Sequence, residues 1–148
     1  MTQIQIIVGS MLGGTEYVAE ACQETLEDLG HNVTLHLVPK FDDILKENQL
    51  WLICTSTHGA GDYPDNIKSF VDQLTQYTQD LNHTSFAVIG IGDSSYDTFC
   101  LAAKNINTLL LSKGCKEKIK LLTLDMTLDI DPEEQAQHWI SQHKDQLS

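Results

Sequence analysis

Short apolar runs alternate with amphipathic stretches along the whole of this 148-residue chain. Most of the apolar runs are too short for helices and rich in β-branched residues, which predicts buried strands at residues 4–9, 32–38, 50–55, 85–91 and 116–124. Apolar positions at helical spacing between them predict helices at residues 15–29, 41–47, 64–77 and 98–112, and a last helix that opens at Asp131. Strands that alternate with helices form a parallel sheet covered on both faces. The pattern therefore predicts one doubly wound α/β domain of five strands that spans residues 1–148.

The same pattern predicts which side chains face the core. On the first helix the inward positions are Val18, Cys22, Leu26 and Leu29. Along strand 32–38 the inward positions alternate as Val33, Leu35 and Leu37. On helix 64–77 they are Ile67, Phe70, Val71 and Leu74. Gly30 and Gly114 follow the last periodic positions of two helices and are predicted to close them.

The fold also predicts where a ligand would bind. In doubly wound sheets, ligands lie beyond the carboxyl ends of the strands, at the point where the strand order reverses. Function is therefore expected in the loops that follow the first, third and fourth strands.

Charge narrows the range of partners. The sequence has nine basic residues, all of them Lys, against 21 acidic residues, for a formal net charge of −12. Such a surface repels the phosphates of nucleic acids and anionic membranes and attracts a protein with a basic patch. Acidity also serves solubility alone, so charge by itself does not choose between these explanations. Because the chain starts without a basic-then-apolar leader and has no apolar run of roughly 20 residues, a cytoplasmic protein is expected.

Cysteine and histidine spacing argues against metal or dithiol chemistry. The four cysteines, Cys22, Cys54, Cys100 and Cys115, include no Cys-x-x-Cys pair. The six histidines include no His-Glu-x-x-His motif. Neither a metal site nor a dithiol redox site is expected, and Cys22 and Cys54, which lie inside apolar stretches, are predicted to be buried packing residues.

The first loop joins a buried strand to a helix, where backbone N–H groups favour an anion. It contains Ser10, Met11, Leu12, Gly13, Gly14 and Thr15. A Walker loop would have Lys after Gly14, but Thr15 stands there, and a dinucleotide fingerprint would have Gly-x-Gly-x-x-Gly. What remains is a cradle of neutral donors that suits a phosphomonoester. Taken without the other loops, a plain tight turn with a helix cap is the commoner explanation.

The second and third loops are rich in small, hydroxyl and aromatic residues. The second includes Ser56, Thr57, His58, Gly59, Ala60 and Gly61, and its glycines allow direct contact between main chain and ligand. The third includes Gly92, Asp93, Tyr96, Phe99 and Cys100. Tyr96 is placed to stack on a planar ring, although an aromatic residue at a sheet edge more often serves packing.

Together these loops resemble the short-chain flavodoxins, most closely their MioC branch, and they are similar to the FMN domains of cytochrome P450 and sulfite reductases. The resemblance rests on residues 56–66, Ser-Thr-His-Gly-Ala-Gly-Asp-Tyr-Pro-Asp-Asn, and on residues 90–100, Gly-Ile-Gly-Asp-Ser-Ser-Tyr-Asp-Thr-Phe-Cys. It implies strand order 2-1-3-4-5 and FMN as cofactor, with residues 10–16 at the phosphate and residues 56–62 and 90–100 around the ring. Two departures are Leu12 and Gly14, where the family usually has Thr and Asn. A third is His58, where the reductase domains often have an aromatic residue.

The resemblance further implies an electron carrier rather than an enzyme. Single electrons would come from a flavodoxin or ferredoxin reductase and pass to a redox enzyme with a basic docking face, for which biotin synthase is a candidate. The peptide of Gly59 or Gly61 would turn to accept a hydrogen bond from the reduced flavin ring.

Two alternatives to a carrier stay open. One is an NAD(P)H-dependent flavin or quinone reductase, and the other is an interaction module on the same fold without flavin. A phosphorylated receiver is excluded, because Gly9-Ser10 and Thr55-Ser56 stand where it needs acidic residues.

Overall fold

A computed structural model describes residues 2–10, 14–44 and 46–147. Its strands are β1 (Gln3–Gly9), β2 (Asn32–His36), β3 (Gln49–Ser56), β4 (Thr84–Gly92), β5 (Lys116–Glu117) and β6 (Leu122–Asp125). Its α-helices are α1 (Gly14–Asp28), α2 (Asp65–Gln76), α3 (Leu101–Ser112) and α4 (Pro132–Gln142). Single 3₁₀ turns occur at Phe41–Asp43 and Lys144–Leu147. Among the described residues, no helix has the length and hydrophobicity needed to cross a bilayer.

The strands form one parallel sheet in the order β2-β1-β3-β4-β5, with β6 also paired to β4. This confirms the predicted doubly wound fold and its strand order. The order reverses around β1, which pairs with β2 on one side and with β3 on the other. Loops that leave β1 and β3 therefore diverge from a common point at the carboxyl edge.

Alternate residues of the central strands bury their side chains in two cores. On one face, Ile6 and Leu52 pack with α1 and α4. On the other, Ile7, Trp51 and Phe86 pack with α2 and α3. Burial of each such side chain contributes roughly 1.5–3 kcal/mol. Both faces of β1, β3 and β4 are covered, so only their ends remain accessible.

The ends of the first helix and of β2 differ from the prediction. Gly30 does cap α1, with φ of 94°, and the His31 N–H donates to the Leu26 carbonyl across the helix end. However, α1 ends at Asp28, so Leu29 lies in the turn and is 39% exposed. Likewise β2 ends at His36, and Leu37 is 38% exposed. Both predictions of burial were wrong because the chain leaves its regular element before the apolar pattern stops.

A helix was also wrongly predicted at residues 41–47. Only the single turn Phe41–Asp43 forms. The Lys46 ammonium donates to the carbonyls of Phe41 (2.8 Å) and Ile44 (3.0 Å) and lies 4.2 Å from the centre of the Phe41 ring. A side chain thus satisfies carbonyl groups that a continued helix would have used.

The predicted fifth strand, at residues 116–124, is two short strands instead of one. Both β5 and β6 pair with β4, and residues 118–121 between them belong to neither. Lys116, Lys118 and Lys120 occupy alternate positions here, and all three are exposed. A run of charged side chains at a sheet edge favours short, interrupted pairing. The other helices match their predictions to within a few residues, including the four buried positions of α2 and the Asp131 cap of α4.

Replacement of Gly9 by Ala should destabilise the fold. A Cβ atom at Gly9 would clash with Thr55 Oγ1 and lie 3.2 Å from Ile67 Cγ2, both in a packed region. Overpacking of this kind costs about 1–3 kcal/mol, measurable as a lower free energy of unfolding in urea. The matched control is Gly14→Ala, because a Cβ atom there meets nothing within 4 Å. Equal stabilities for the two variants would contradict the close contact.

Candidate functional site

Two cavities adjoin at the carboxyl edge of the sheet, each with a volume of about 470 Å³. They share four lining residues, Ser56, Thr57, Ile91 and Met126. The loop cavity extends over the segment between β4 and α3, where it is also lined by Gly59, Gly92, Asp93, Tyr96, Thr98, Phe99 and Cys100. The helix-end cavity extends over the first turns of α1 and α4, where it is also lined by Ser10, Gly14, Thr15, Tyr17, Val18, His58, Pro132 and Glu133. The two form one elongated, open site.

Most of the predicted site residues meet in these cavities. All three predicted loops contribute, and within them Ala60 and Gly61 line neither cavity. Met11, Leu12 and Gly13 lie outside the described residues. The residues named from the sequence did not include seven that line the cavities. Tyr17 and Val18 belong to α1, Ile91 and Thr98 lie within residues 90–100, and Met126, Pro132 and Glu133 follow the last strand. Ligands in doubly wound sheets bind beyond the carboxyl ends of the strands. The residues after the last predicted strand could therefore have been named from the sequence by the same rule.

The second loop holds the start of α3 in place. Cys100 precedes α3 with φ of 52°, in the left-handed region, and its own side chain gives the helix no cap. Instead, the Ala102 N–H donates to Thr57 Oγ1 at 3.1 Å. The Thr57 hydroxyl therefore caps a helix some 45 positions further along the chain and joins the second loop to the third.

Residues 58–62 form a tight hairpin with two different glycines. The N–H groups of His58 and Asp62 each donate to the other's carbonyl at 2.8 Å. Gly59 and Gly61 both have positive φ, at 52° and 115°. A Cβ atom at Gly61 would lie 2.6 Å from Leu101 Cδ2, whereas at Gly59 the nearest atom is Asp62 Oδ2, at 4.0 Å. Gly61 is packed against α3, and Gly59 faces open space beside the loop cavity.

The Gly-Ile-Gly sequence at the end of β4 is explained by close packing. A Cβ atom at Gly90 would lie 2.7 Å from Ala103 Cβ, and one at Gly92 would lie 3.0 Å from Cys100 Sγ. Cys100 is 1% exposed, and burial raises its pKa to about 11. The glycines thus let α3 approach the sheet and hold a neutral thiol at the cavity wall.

Asp125 ties the third loop to the loop after β6. Its Oδ1 atom accepts hydrogen bonds from Ser94 N–H (3.2 Å), Thr127 N–H (3.0 Å) and the Thr127 hydroxyl (2.7 Å). These hydrogen bonds to the ionised form lower the pKa of Asp125 to about 2. The Met126 N–H donates to the Gly92 carbonyl at 2.8 Å. Met126 is thereby held over the site.

The two ends of the site differ in chemistry. Ser10 and Thr15 line the helix-end cavity close to the positive end of α1, and Ser56 and Thr57, which both cavities share, add two more hydroxyl residues. Tyr96, Phe99 and Met126 give the loop cavity an aromatic and apolar wall. Residues 90–103 and 121–143 contain no Lys, so the third loop and the segment after β6 bear acidic charge alone. The site suits a molecule with a phosphomonoester at one end and a flat ring at the other.

Comparison with known proteins defines the class. A model of the flavodoxin family matches residues 6–139. The chain belongs to the flavodoxin family.

Individual relatives narrow the class further. The MioC homologue of Pasteurella multocida is 46% identical over 146 residues, 99% of each chain. MioC of Escherichia coli (strain K12) is 43% identical over 142 residues, 95% of each chain. Among solved structures, a cysteine-to-serine mutant of the flavodoxin from Pseudomonas aeruginosa superposes with a TM-score of 0.90 at 28% identity, over 99% of both chains. The chain is thus a short-chain flavodoxin of the MioC type, with FMN as its cofactor.

The residues present fit this cofactor. Neutral hydroxyl donors and a helix start suit the phosphate, and the aromatic wall suits the isoalloxazine ring. Glu133 opposes the fit, because a carboxylate at the helix-end cavity is unfavourable for a phosphate dianion.

Cys100 should resist alkylation in the folded protein. At pH 8, a thiol with pKa of about 11 is about 0.1% ionised, whereas an unfolded cysteine with pKa of about 8.5 is about a quarter ionised. Iodoacetamide should therefore modify Cys100 more slowly in folded apo-protein than in urea. The ratio of the two ionised fractions sets the difference in rate, which is at least about a hundredfold. The rate should rise about tenfold per pH unit up to pH 10, because the thiolate is the nucleophile. Peptide mass spectrometry identifies the modified site, and equal rates in both states would contradict its burial.

Proposed function

We propose that this flavodoxin shuttles single electrons between a reductase and an acceptor enzyme, with the FMN ring in the loop cavity and the phosphate in the helix-end cavity. The observation that carries the proposal is the joining of these two cavities at the point where the strand order reverses. Bound FMN supplies the redox chemistry, and the protein positions it and tunes it.

The phosphate is assigned to the first loop. Thr15 and Ser10 lie at the helix-end cavity, and α1 points its amino end toward them. Gly14 lines the same cavity, and Met11, Leu12 and Gly13 complete this assignment from the sequence pattern. With no lysine among the described residues that line the cavity, and with Glu133 present, the phosphate is held by neutral donors, so the affinity for FMN is expected to be modest.

The ring is assigned to the second and third loops. Tyr96 is 68% exposed beside the loop cavity, which leaves its face accessible for stacking. The same cavity is also lined by five other residues assigned to the ring, Ser56, Gly92, Asp93, Phe99 and Cys100. Ala60 belongs to the same hairpin as Gly59. Of the two candidate glycines, we assign to the Gly59 peptide the hydrogen bond with the flavin ring, because Gly61 is packed against Leu101.

His58 and Thr57 hold the second loop in the required shape. Thr57 caps α3, and the backbone of His58 closes the hairpin. His58 also lines the helix-end cavity, to which the phosphate is assigned.

The acidic charge beside the site supports docking to partners with a basic surface. A flavodoxin or ferredoxin reductase is proposed as the electron donor, and a redox enzyme with a basic face, such as biotin synthase, as the acceptor. The charge of the third loop and the segment after β6 would steer such encounters, with an effect that weakens as salt is added. Cytoplasmic location is part of this proposal. An NAD(P)H-dependent flavin or quinone reductase is the competing function.

Titration of apo-protein with FMN and anaerobic stepwise reduction test the proposal together. We expect saturable binding and a long-wavelength absorption band that rises and then falls during reduction, because a one-electron carrier must stabilise the half-reduced state. NADPH alone should not reduce the flavin, whereas NADPH with a flavodoxin reductase should. Failure to bind FMN at micromolar concentration would refute the proposal. Rapid oxidation of NADPH without a second protein would favour the reductase function.

Asp125→Ala should weaken FMN and riboflavin binding by a similar factor, about fivefold, because the lost hydrogen bonds loosen the loop at the ring rather than the phosphate. Flavin fluorescence quenching gives both dissociation constants. Asp129→Ala is the control, since Asp129 is exposed and its replacement removes the same charge. A matching effect of Asp129→Ala would show that charge, not loop anchoring, is responsible.

A further inference from the structure

The side chain of Asn66 joins three separate segments near the first loop. Asn66 is the second residue of α2 and is half-buried. Its Nδ2 atom donates to the carbonyls of Val8 (2.7 Å) and Leu37 (2.9 Å). Its Oδ1 atom accepts from the Ser10 N–H at 2.9 Å. One amide thus links β1, the exit of β2 and the entry to the first loop.

The Asn66 side chain makes two hydrogen bonds that a further residue of β2 would otherwise make with β1. In a parallel ladder, a residue opposite position i donates to the carbonyl of i−1 and accepts from the N–H of i+1. The Asn66 amide does the same around Gly9, with Val8 before it and Ser10 after it. The register Ile7↔His36 would place Val38 opposite Gly9, but β2 has ended and Val38 is 72% exposed. The Asn66 side chain therefore takes the position beside Gly9 that a longer β2 would have filled with backbone.

We infer that Asn66 is a positioning residue for the FMN phosphate. It fixes the orientation of Ser10, the first residue beyond β1, and so the direction in which the chain enters the helix-end cavity. Because the Ser10 N–H donates to Asn66, other groups must donate to the phosphate. Asn66 lines neither cavity, and it acts through Ser10 rather than on the cofactor.

The same residue couples two loops of the site. Asn66 follows the second loop directly, through Pro64 and Asp65, while its side chain holds the first loop. Displacement of α2 at its start would therefore move the phosphate end of the site together with the hairpin at residues 58–62. This inference rests on the placement of the phosphate proposed above.

Comparison of FMN with riboflavin separates positioning from plain structural support. Riboflavin lacks the phosphate and otherwise presents the same ring. If Asn66 positions the phosphate loop, its loss should reduce FMN affinity and leave riboflavin affinity nearly unchanged. If it only supports the fold, both affinities should change by the same factor.

The experiment uses apo-protein with Asn66→Ala, which lets water reach the three backbone groups, and Asn66→Leu, which keeps the branched shape of the side chain but removes its hydrogen-bonding atoms. The FMN dissociation constant should rise by about tenfold, as expected for the loss of roughly 1.4 kcal/mol. The riboflavin dissociation constant should stay within about threefold of wild type, less than 1 kcal/mol. Urea unfolding of each apo-protein identifies the variants that are folded under the binding conditions.

Gln5→Leu is the matched control. Gln5 also links β1 to its neighbouring strands by side-chain hydrogen bonds, to His36 Nε2 of β2 at 2.7 Å and to Gln49 Oε1 of β3 at 3.1 Å, but it lies further from the carboxyl edge of the sheet. Its replacement should lower stability and leave the ratio of the two dissociation constants as in wild type. A wild-type ratio in both Asn66 variants would overturn the inference, as would a wild-type protein that binds FMN no better than riboflavin. Wild-type protein that binds no FMN would instead refute the proposed function itself.

Discussion

Close approach at the ends of the central strands is the constraint on which the rest of the site depends. Gly9 leaves room for Thr55, and Gly90 and Gly92 leave room for Ala103 and Cys100. Because α3 comes so near, its first turn reaches the second loop, where a threonine hydroxyl caps it. The third loop is then drawn over the site and fastened to the segment after β6. The close packing at these three glycines thus brings together the loops that line the cavities.

The parts of the fold that could be predicted from sequence are those buried on both faces. Strands β1, β3 and β4 have continuous apolar runs because helices cover them on two sides. Errors fall at the margins, where one face meets water: Leu29, Leu37, the 41–47 segment and the divided fifth strand. There an apolar residue no longer reports burial, and capping or side-chain hydrogen bonds decide where an element ends.

The site followed the same division. The fold gave the position of the three loops, and most of the residues named there line the two cavities, while the resemblance supplied the cofactor. Met126 had a local signal at the end of the last strand. Asn66 had none, since its partners are 29, 56 and 58 positions away and are backbone groups whose identity no residue type reveals. Only the geometry of two diverging strands shows why an amide is needed there.

The adjoining cavities draw their described lining from Ser10 and from residues 14–18, 56–59, 91–100 and 126–133, which belong to four stretches of the chain. A ligand that touches all four is bound only while all four are folded. At a free FMN concentration a hundred times its dissociation constant, binding raises the free energy of local unfolding at the carboxyl edge of the sheet by about 2.7 kcal/mol. Proteolysis of a transiently opened edge would slow by the corresponding factor of about a hundred. Flavin supply would then govern how long each molecule survives as well as whether it can carry an electron.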